Sequence, residues 1–326
     1  MSKQRPLIPI VLILVAISGA AAAQTLPKVY HLGLLGCGPP PSDTARDIVA
    51  ALIRGLARHG YLIDRNMAFE RRGAQFHFDR LPELVDELLS SKVDVIVTTC
   101  YPAAAAAQQG TKTIPIVTAG TSSTGLVGSL SRPGGNLTGI SELAVELAAK
   151  RLELLKEAVP RLHKVAMLYN AADLGMTERY EVSAAAAQAL DLTVLPLGVR
   201  EPEGFDEAFA AMTREPPDGL FMVTDALTAL NRRRVFEFAA EHGLPAMYEF
   251  EELVRGGGLM SYGPDMGETQ DRVADLIDRI LKGTKPADLP FEQITHVRFV
   301  INLKTAKALG LTVPQSILAR ADEVIE

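Results

Sequence analysis

The residues that could do chemistry in this chain do not assemble into a catalytic signature. No Gly-x-Ser-x-Gly elbow presents a nucleophile, no Walker loop cradles a phosphate, and no His-Glu-x-x-His segment holds zinc. Gly36-Cys37-Gly38 begins like a dinucleotide fingerprint, but Pro39-Pro40-Pro41 stands where an x-x-Gly should lead into a helix. Three prolines there point to a rigid lip over a strand end. His59, His163 and His242 fall at helix ends or edges, where capping or solvation accounts for them. The chain is therefore expected to be no enzyme and to need no cofactor or metal.

What remains is polar residues just after apolar runs. Ligands of open α/β sheets bind outside the carboxyl ends of the strands, where helix N-termini present free N–H groups. One set of such ends is hydroxyl-rich: Ser42 to Thr44, Thr98 to Tyr101, and Thr118 to Ser123. It suits a carboxylate or hydroxyls. The other set comprises Tyr169 to Ala171, Thr224 to Ala226, and Tyr248, and Asp225 in it suits an ammonium group. Opposite preferences facing each other would suit a zwitterion such as an amino acid. The candidate ligand contacts are Ser42, Thr99, Cys100, Tyr101, Ala119, Thr121, Asn170, Asp225 and Tyr248. Ser, Thr and Asp at these places also serve as ordinary helix caps.

The elements that must position these ends alternate strand and helix. Val29–Leu35, Met67–Arg71, Val93–Thr98 and Ile114–Val117 read as strands. The β-branched run at 93–98 marks a strand buried on both faces of a parallel sheet. Between them, Asp43–His59, Phe78–Ser90 and Pro102–Gln109 read as helices. After a turn-rich break at Arg132–Asn136, expected as the first crossover, the pattern restarts. Helices at 147–159, 178–190, 205–212 and 233–242 alternate with strands at 164–169, 192–196, 219–223 and 244–247. A Gly-rich strand at 256–262, a helix at 271–281, a strand at 297–301 and a short helix ending at Gly310 are too few for a third domain. They should complete the two sheets, so the chain crosses between lobes more than once. The expected fold is α/β, two doubly wound Rossmann-like lobes joined by a multi-strand hinge. Lobe 1 is expected to take 24–140 plus 262–289, and lobe 2 to take 141–261 plus 290–326.

The first residues bear on the compartment. Lys3 and Arg5 precede a charge-free stretch from Leu7 to Ala23, which ends Ala21-x-Ala23 before Gln24. That is the form of a secretory signal peptide over 1–23, a retained membrane anchor being the alternative. The formal charge of −6 becomes more negative when Lys3 and Arg5 leave. An acidic surface argues against nucleic acid and anionic membrane as partners. Cys37 and Cys100 both fall at strand ends without metal-ligand spacing, which leaves a disulfide and two free thiols as alternatives in an oxidising compartment.

Several longer motifs carry a resemblance. These are the stretch Gly125–Gly139, with Ser131-Arg132-Pro133-Gly134-Gly135-Asn136 at its centre; Lys150–Lys156; Gly257–Gly263; Ile301–Pro314; and Ala319–Ile325. The chain resembles the ABC-transporter substrate-binding family that includes tryptophan- and tyrosine-type binding proteins. The resemblance implies a type I periplasmic-binding fold with three interlobe crossovers, capture of a small, amino-acid-like solute by hinge closure, and delivery to an ABC permease in the inner membrane. A monomer in the periplasm follows, or alternatively a sensing module that presents its solute to a membrane receptor. The cleft loops depart from the family pattern. Asn170 is followed by Ala171-Ala172-Asp173 where Asn-Pro is usual, Asp225 by Ala226 where Asp-Pro is common, and cysteine occupies 37 and 100.

Overall fold

The computed structural model describes residues 28–41, 48–120, 125–141 and 144–326, without the side chains of 144–146. Thirteen strands among them are β1 (Tyr30–Gly36), β2 (Met67–Gly73), β3 (Val95–Thr98), β4 (Ile116–Ala119), β5 (Leu137–Ser141), β6 (Lys164–Asn170), β7 (Thr193–Val199), β8 (Gly219–Met222), β9 (Ala246–Tyr248), β10 (Met260–Pro264), β11 (Glu292–Gln293), β12 (Val297–Asn302) and β13 (Glu323–Ile325). They form two sheets, ordered β11-β5-β4-β3-β1-β2 and β13-β12-β10-β9-β8-β6-β7. All pairings in the first sheet are parallel, and in the second only β10 with β12 is antiparallel. In both lobes the loops that follow the parallel strands therefore gather along one edge.

Helices α1 (Ile48–Arg58), α2 (Leu81–Ser90) and α3 (Tyr101–Gly110) belong to the first lobe. The second holds α4 (Ala144–Ala158), α5 (Leu174–Ala189), α6 (Gly204–Arg214), α7 (Ala226–Leu230), α8 (Arg232–Glu241) and α9 (Glu251–Arg255). Apolar spacing explains their seating. Val49, Leu52 and Leu56 line one face of α1 and are buried. That face meets α10 (Met266–Leu281), which returns from the far end of the chain to cover the first sheet. Gly55 permits the approach, since a Cβ there would lie 2.8 Å from the Ala274 Cβ.

The chain passes between lobes three times, after Ser141, Pro264 and Gln293. These points lie a few residues beyond the divisions expected at 140, 261 and 289. Tyr262–Pro264 stays with the second sheet because it pairs with β12, and Glu292–Gln293 stays with the first because it pairs with β5. The turn at Gly134 and Gly135, both at positive φ, is not the first crossover that the sequence led us to expect. It feeds β5, which closes up against β4, and Gly139 makes that possible because a Cβ there would collide with Thr118. Expected helix starts also move toward the N-terminus. Asp173 caps α5 and Asp265 caps α10, each accepting from backbone N–H groups of the first turn. The expected signal peptide at 1–23 lies outside the described residues.

Candidate ligand-binding cleft

The rim of the first lobe is built on a covalent staple. Cys37, just past β1, and Cys100, just before α3, form a disulfide. The two cysteines adjoin in space because β1 and β3 pair in register up to Leu35 and Thr98. Beyond Cys37 the Gly38–Pro40 backbone lies directly on Gly73, where any Cβ would clash. Gln75 and Phe76 follow at φ 52° and 66°, a conformation that costs about 1–3 kcal/mol for each such residue. Two hydrogen bonds hold them there, Gln75 N–H to the Gly38 carbonyl (2.9 Å) and Phe76 N–H to the Cys37 carbonyl (2.8 Å). Disulfide, prolines and hydrogen bonds together make this lip rigid.

The rim of the second lobe is acidic. Asp225 caps α7, its Oδ1 accepting from the Thr228 N–H at 2.9 Å while the Thr228 hydroxyl accepts from the Asp225 N–H. Its Oδ2 accepts from the Asn170 amide at 2.7 Å, and Asn170 Oδ1 accepts from the Ala172 N–H. The loops after β6 and β8 are thus tied together. Burial raises the Asp225 pKa against the opposing effect of these hydrogen bonds. Asp173 lies in the same loop as Asn170, and its Oδ1 accepts from Gly175 and Met176 N–H. Burial first, then the Asp225 charge, pushes its pKa to about 6.

Deeper in the second lobe sits a buried ionic hub. Glu249, 2% exposed, accepts from Arg151 Nη1 at 2.9 Å, from Arg179 Nη1 at 3.4 Å and from the Thr224 N–H at 2.9 Å. Arg151 also donates to the Tyr262 carbonyl on β10, the second crossing strand. Arg179 Nη2 donates at 3.4 Å to the Gly120 carbonyl, which belongs to the first lobe. The hub therefore joins the hinge to the cleft floor.

The lobes touch at the rims. A Cβ on Gly38 would lie 3.4 Å from the Ala226 Cβ and 3.4 Å from Phe76 Cζ, and Phe76 packs on the second lobe's core. Tyr101 crosses elsewhere, its Cβ 3.0 Å from where a Gly175 Cβ would be. Burial and the nearby Glu178 and Asp173 charges raise the Tyr101 pKa, so this tyrosine is neutral at physiological pH.

Of the residues expected to bind ligand, Cys100 and Tyr101 lie on one side of this junction and Asn170 and Asp225 on the other. Thr99 precedes the stapled Cys100, and Ala119 ends β4 beside Gly120. Ser42 and Thr121 lie outside the described residues. Tyr248 is placed elsewhere: it is buried in the second lobe's core against Phe236, ring centroids 5.3 Å apart. Behind it lies a cavity of about 350 Å³ whose lining, including Phe236, Leu244 and Leu309, comes entirely from the second lobe. Successive strand residues point to opposite faces, so the next residue, Glu249, turns to the other face of the sheet, where it meets Arg151 of α4 and Arg179 of α5. Asp173, Arg179, Glu249 and Phe76 were not anticipated. An Asp two residues before Gly175, at a helix start, was the one legible sign among them. Among the described residues no group of three or more His, Cys, Asp or Glu side chains could hold a metal, and no helix is long and apolar enough to cross a membrane.

Comparison with known proteins fits this geometry. The profile of a family described as ABC transporter substrate binding protein matches residues 41–325. The tyrosine-binding protein of Clostridioides difficile strain R20291 is 27% identical over 276 residues, 83% of this chain and 78% of that protein. An ABC domain from Streptococcus pneumonia solved in complex with L-Trp has a TM-score of 0.83 and 28% identity, covering 91% of this chain and 100% of that one. A periplasmic binding protein/LacI transcriptional regulator from Alkaliphilus metalliredigens, complexed with D-xylulofuranose, has a TM-score of 0.58 over 82% of this chain and 96% of its own. At 14% identity that last likeness is one of fold alone. The two-lobed architecture is that of the type I periplasmic-binding fold.

Proposed function

The chain belongs to the ABC transporter substrate-binding protein family, and from that premise we propose that it captures an amino-acid-like solute between its lobes and delivers it to an ABC permease. The observation that carries this reading is the acidic rim of Asn170, Asp173 and Asp225 facing the stapled lip of the first lobe. A buried carboxylate pair suits an ammonium group, because a desolvated charge gains most from an opposite charge. Relatives that bind tyrosine and L-Trp support an amino acid with a large apolar side chain as the solute. Three crossings make a hinge, and a solute that touches both rims binds the closed arrangement more tightly than the open one, which drives closure. Export by the 1–23 segment would place the protein outside the cytoplasm, where the Cys37–Cys100 disulfide persists.

Calorimetric titration of the protein lacking 1–23 with the standard amino acids tests this reading. A saturable one-to-one isotherm with tyrosine, tryptophan or a similar residue is expected. Replacing both rim carboxylates, Asp173→Asn together with Asp225→Asn, should weaken that binding by about 2–5 kcal/mol. No binding by any amino acid would refute the reading.

A further inference from the structure

Asp173 does more than cap a helix. Its Oδ1 alone performs the capping, accepting from Gly175 N–H at 2.8 Å and Met176 N–H at 3.4 Å. Its Oδ2 is buried and has no hydrogen-bond partner among the described residues, and the residue is 1% exposed. Ser, Thr or Asn would cap as well without burying a charge. A second carboxylate, Asp225, lies close enough to raise the Asp173 pKa further. Both oxygens of Asp225 are engaged, one by Thr228 and the other by Asn170. Among the described residues the acidic rim thus holds two carboxylates but one unused acceptor oxygen. That acceptor belongs to the loop that meets the first lobe, since Gly175 packs on Tyr101.

Resting on the proposed function, we infer that Asp173 is the specificity-determining residue of the cleft, its free Oδ2 accepting the hydrogen bond and charge of the solute's ammonium group, with Asp225 acting at one remove. The missing partner of a buried carboxylate is then supplied by the ligand. An amine fits this position, whereas a hydroxyl brings no charge and a carboxylate is repelled. The groups facing Asp173 define its titration. Asp225 comes from the loop after β8, Tyr101 from the first lobe, and Arg179 from its own helix, whose Glu178 acts in turn on Tyr101. Tyr101 stays neutral and Arg179 charged across pH 5 to 8, so neither supplies a proton-linked change there. With an unliganded pKa of about 6, Asp173 must lose a proton before it can hold a cation below that pH. Affinity should then fall about tenfold for each pH unit below 6.

The test titrates wild type, Asp173→Asn and Asp225→Asn with the tightest-binding amino acid and with its des-amino counterpart, at pH 5 and pH 8. Asp173→Asn retains the cap and nearly the same shape, and circular dichroism and a thermal midpoint establish that it folds. The expected result is an affinity lower by about tenfold or more, loss of the preference for the amine over the des-amino compound, and a flat pH profile. Asp225→Asn should keep a pH-dependent affinity, with its midpoint moved below that of the wild type because the charge that helps raise the Asp173 pKa is gone. Wild-type affinity and profile in Asp173→Asn, with the wild-type protein binding normally, would overturn the inference and leave the proposed function standing. An unchanged pH slope with weakened binding would assign the titration to Asp225 and overturn it too. If the wild-type protein binds no amino acid, the proposed function fails and this inference fails with it.

Discussion

Replacing Cys37 and Cys100 together by serine removes a crosslink between residues 63 positions apart. In the chain-entropy account, closing a loop of that length lowers the entropy of the unfolded chain enough to stabilise the fold by about 4 kcal/mol. The native contribution is local and adds in the same direction. The Cys37 carbonyl accepts the bond that holds Phe76 at positive φ, and Cys100 sets the start of α3. Freeing both loosens the lip that meets Ala226 and the start of α3, whose Tyr101 meets Gly175. Urea denaturation of the protein lacking 1–23, followed by circular dichroism, reads the stability. The double variant should lose about 3–5 kcal/mol. A reductant should bring the wild-type protein to the same midpoint and leave the variant unmoved. A loss below about 1 kcal/mol would refute the reasoning, because it would leave no room for the loop-closure effect. Two reactive thiols in the denatured, unreduced protein would refute it more directly.

Three other changes probe the same machinery. Asp173→Asn should stabilise the unliganded protein by about 3 kcal/mol at pH 8 and by almost nothing near pH 3.5, measured by urea denaturation at both pH values. The sign follows from a folded pKa of about 6 raised from 3.8: the native state holds the proton more tightly, so stability falls as pH rises through that window. Glu249→Gln strips the carboxylate from two buried guanidinium groups and should cost about 3–5 kcal/mol in thermal or urea denaturation. Gly38→Leu places a branched side chain against Ala226 Cβ and should hold the lobes apart, which small-angle scattering at saturating amino acid would register as a larger radius of gyration than wild type.

Much of the scaffold was legible because buried parallel strands leave an unmistakable trace. Val95–Thr98 is buried along its whole length, as a β-branched run without alternation requires. The tail elements did complete both sheets, because a short strand and a single helix have no independent core to form. β5 was missed for a physical reason. Leu137–Ser141 holds a glycine at its centre, which weakens any strand pattern, and that glycine is there because the Thr118 backbone comes too close for a side chain. The acidic rim was half legible. Asp225 follows an apolar run, where a cleft residue is expected. Asp173 follows the strand by three residues, and its unpaired oxygen is a property of packing that no spacing reveals. Tyr248 was expected at the cleft because it follows an apolar run, and its ring packs in the second lobe's core against Phe236. Glu249, one residue on, turns to the opposite face of the sheet and carries the ionic hub with Arg151 and Arg179.

The central claim is that an amine-bearing solute lies between the two rims. A crystal structure of the protein purified without dialysis and supplemented with its tightest-binding amino acid tests it most directly. The account predicts density between the stapled lip and the acidic rim, with the ammonium nitrogen within hydrogen-bond distance of Asp173 Oδ2. Density confined to the cavity behind Tyr248, or an ammonium directed away from both carboxylates, would contradict it.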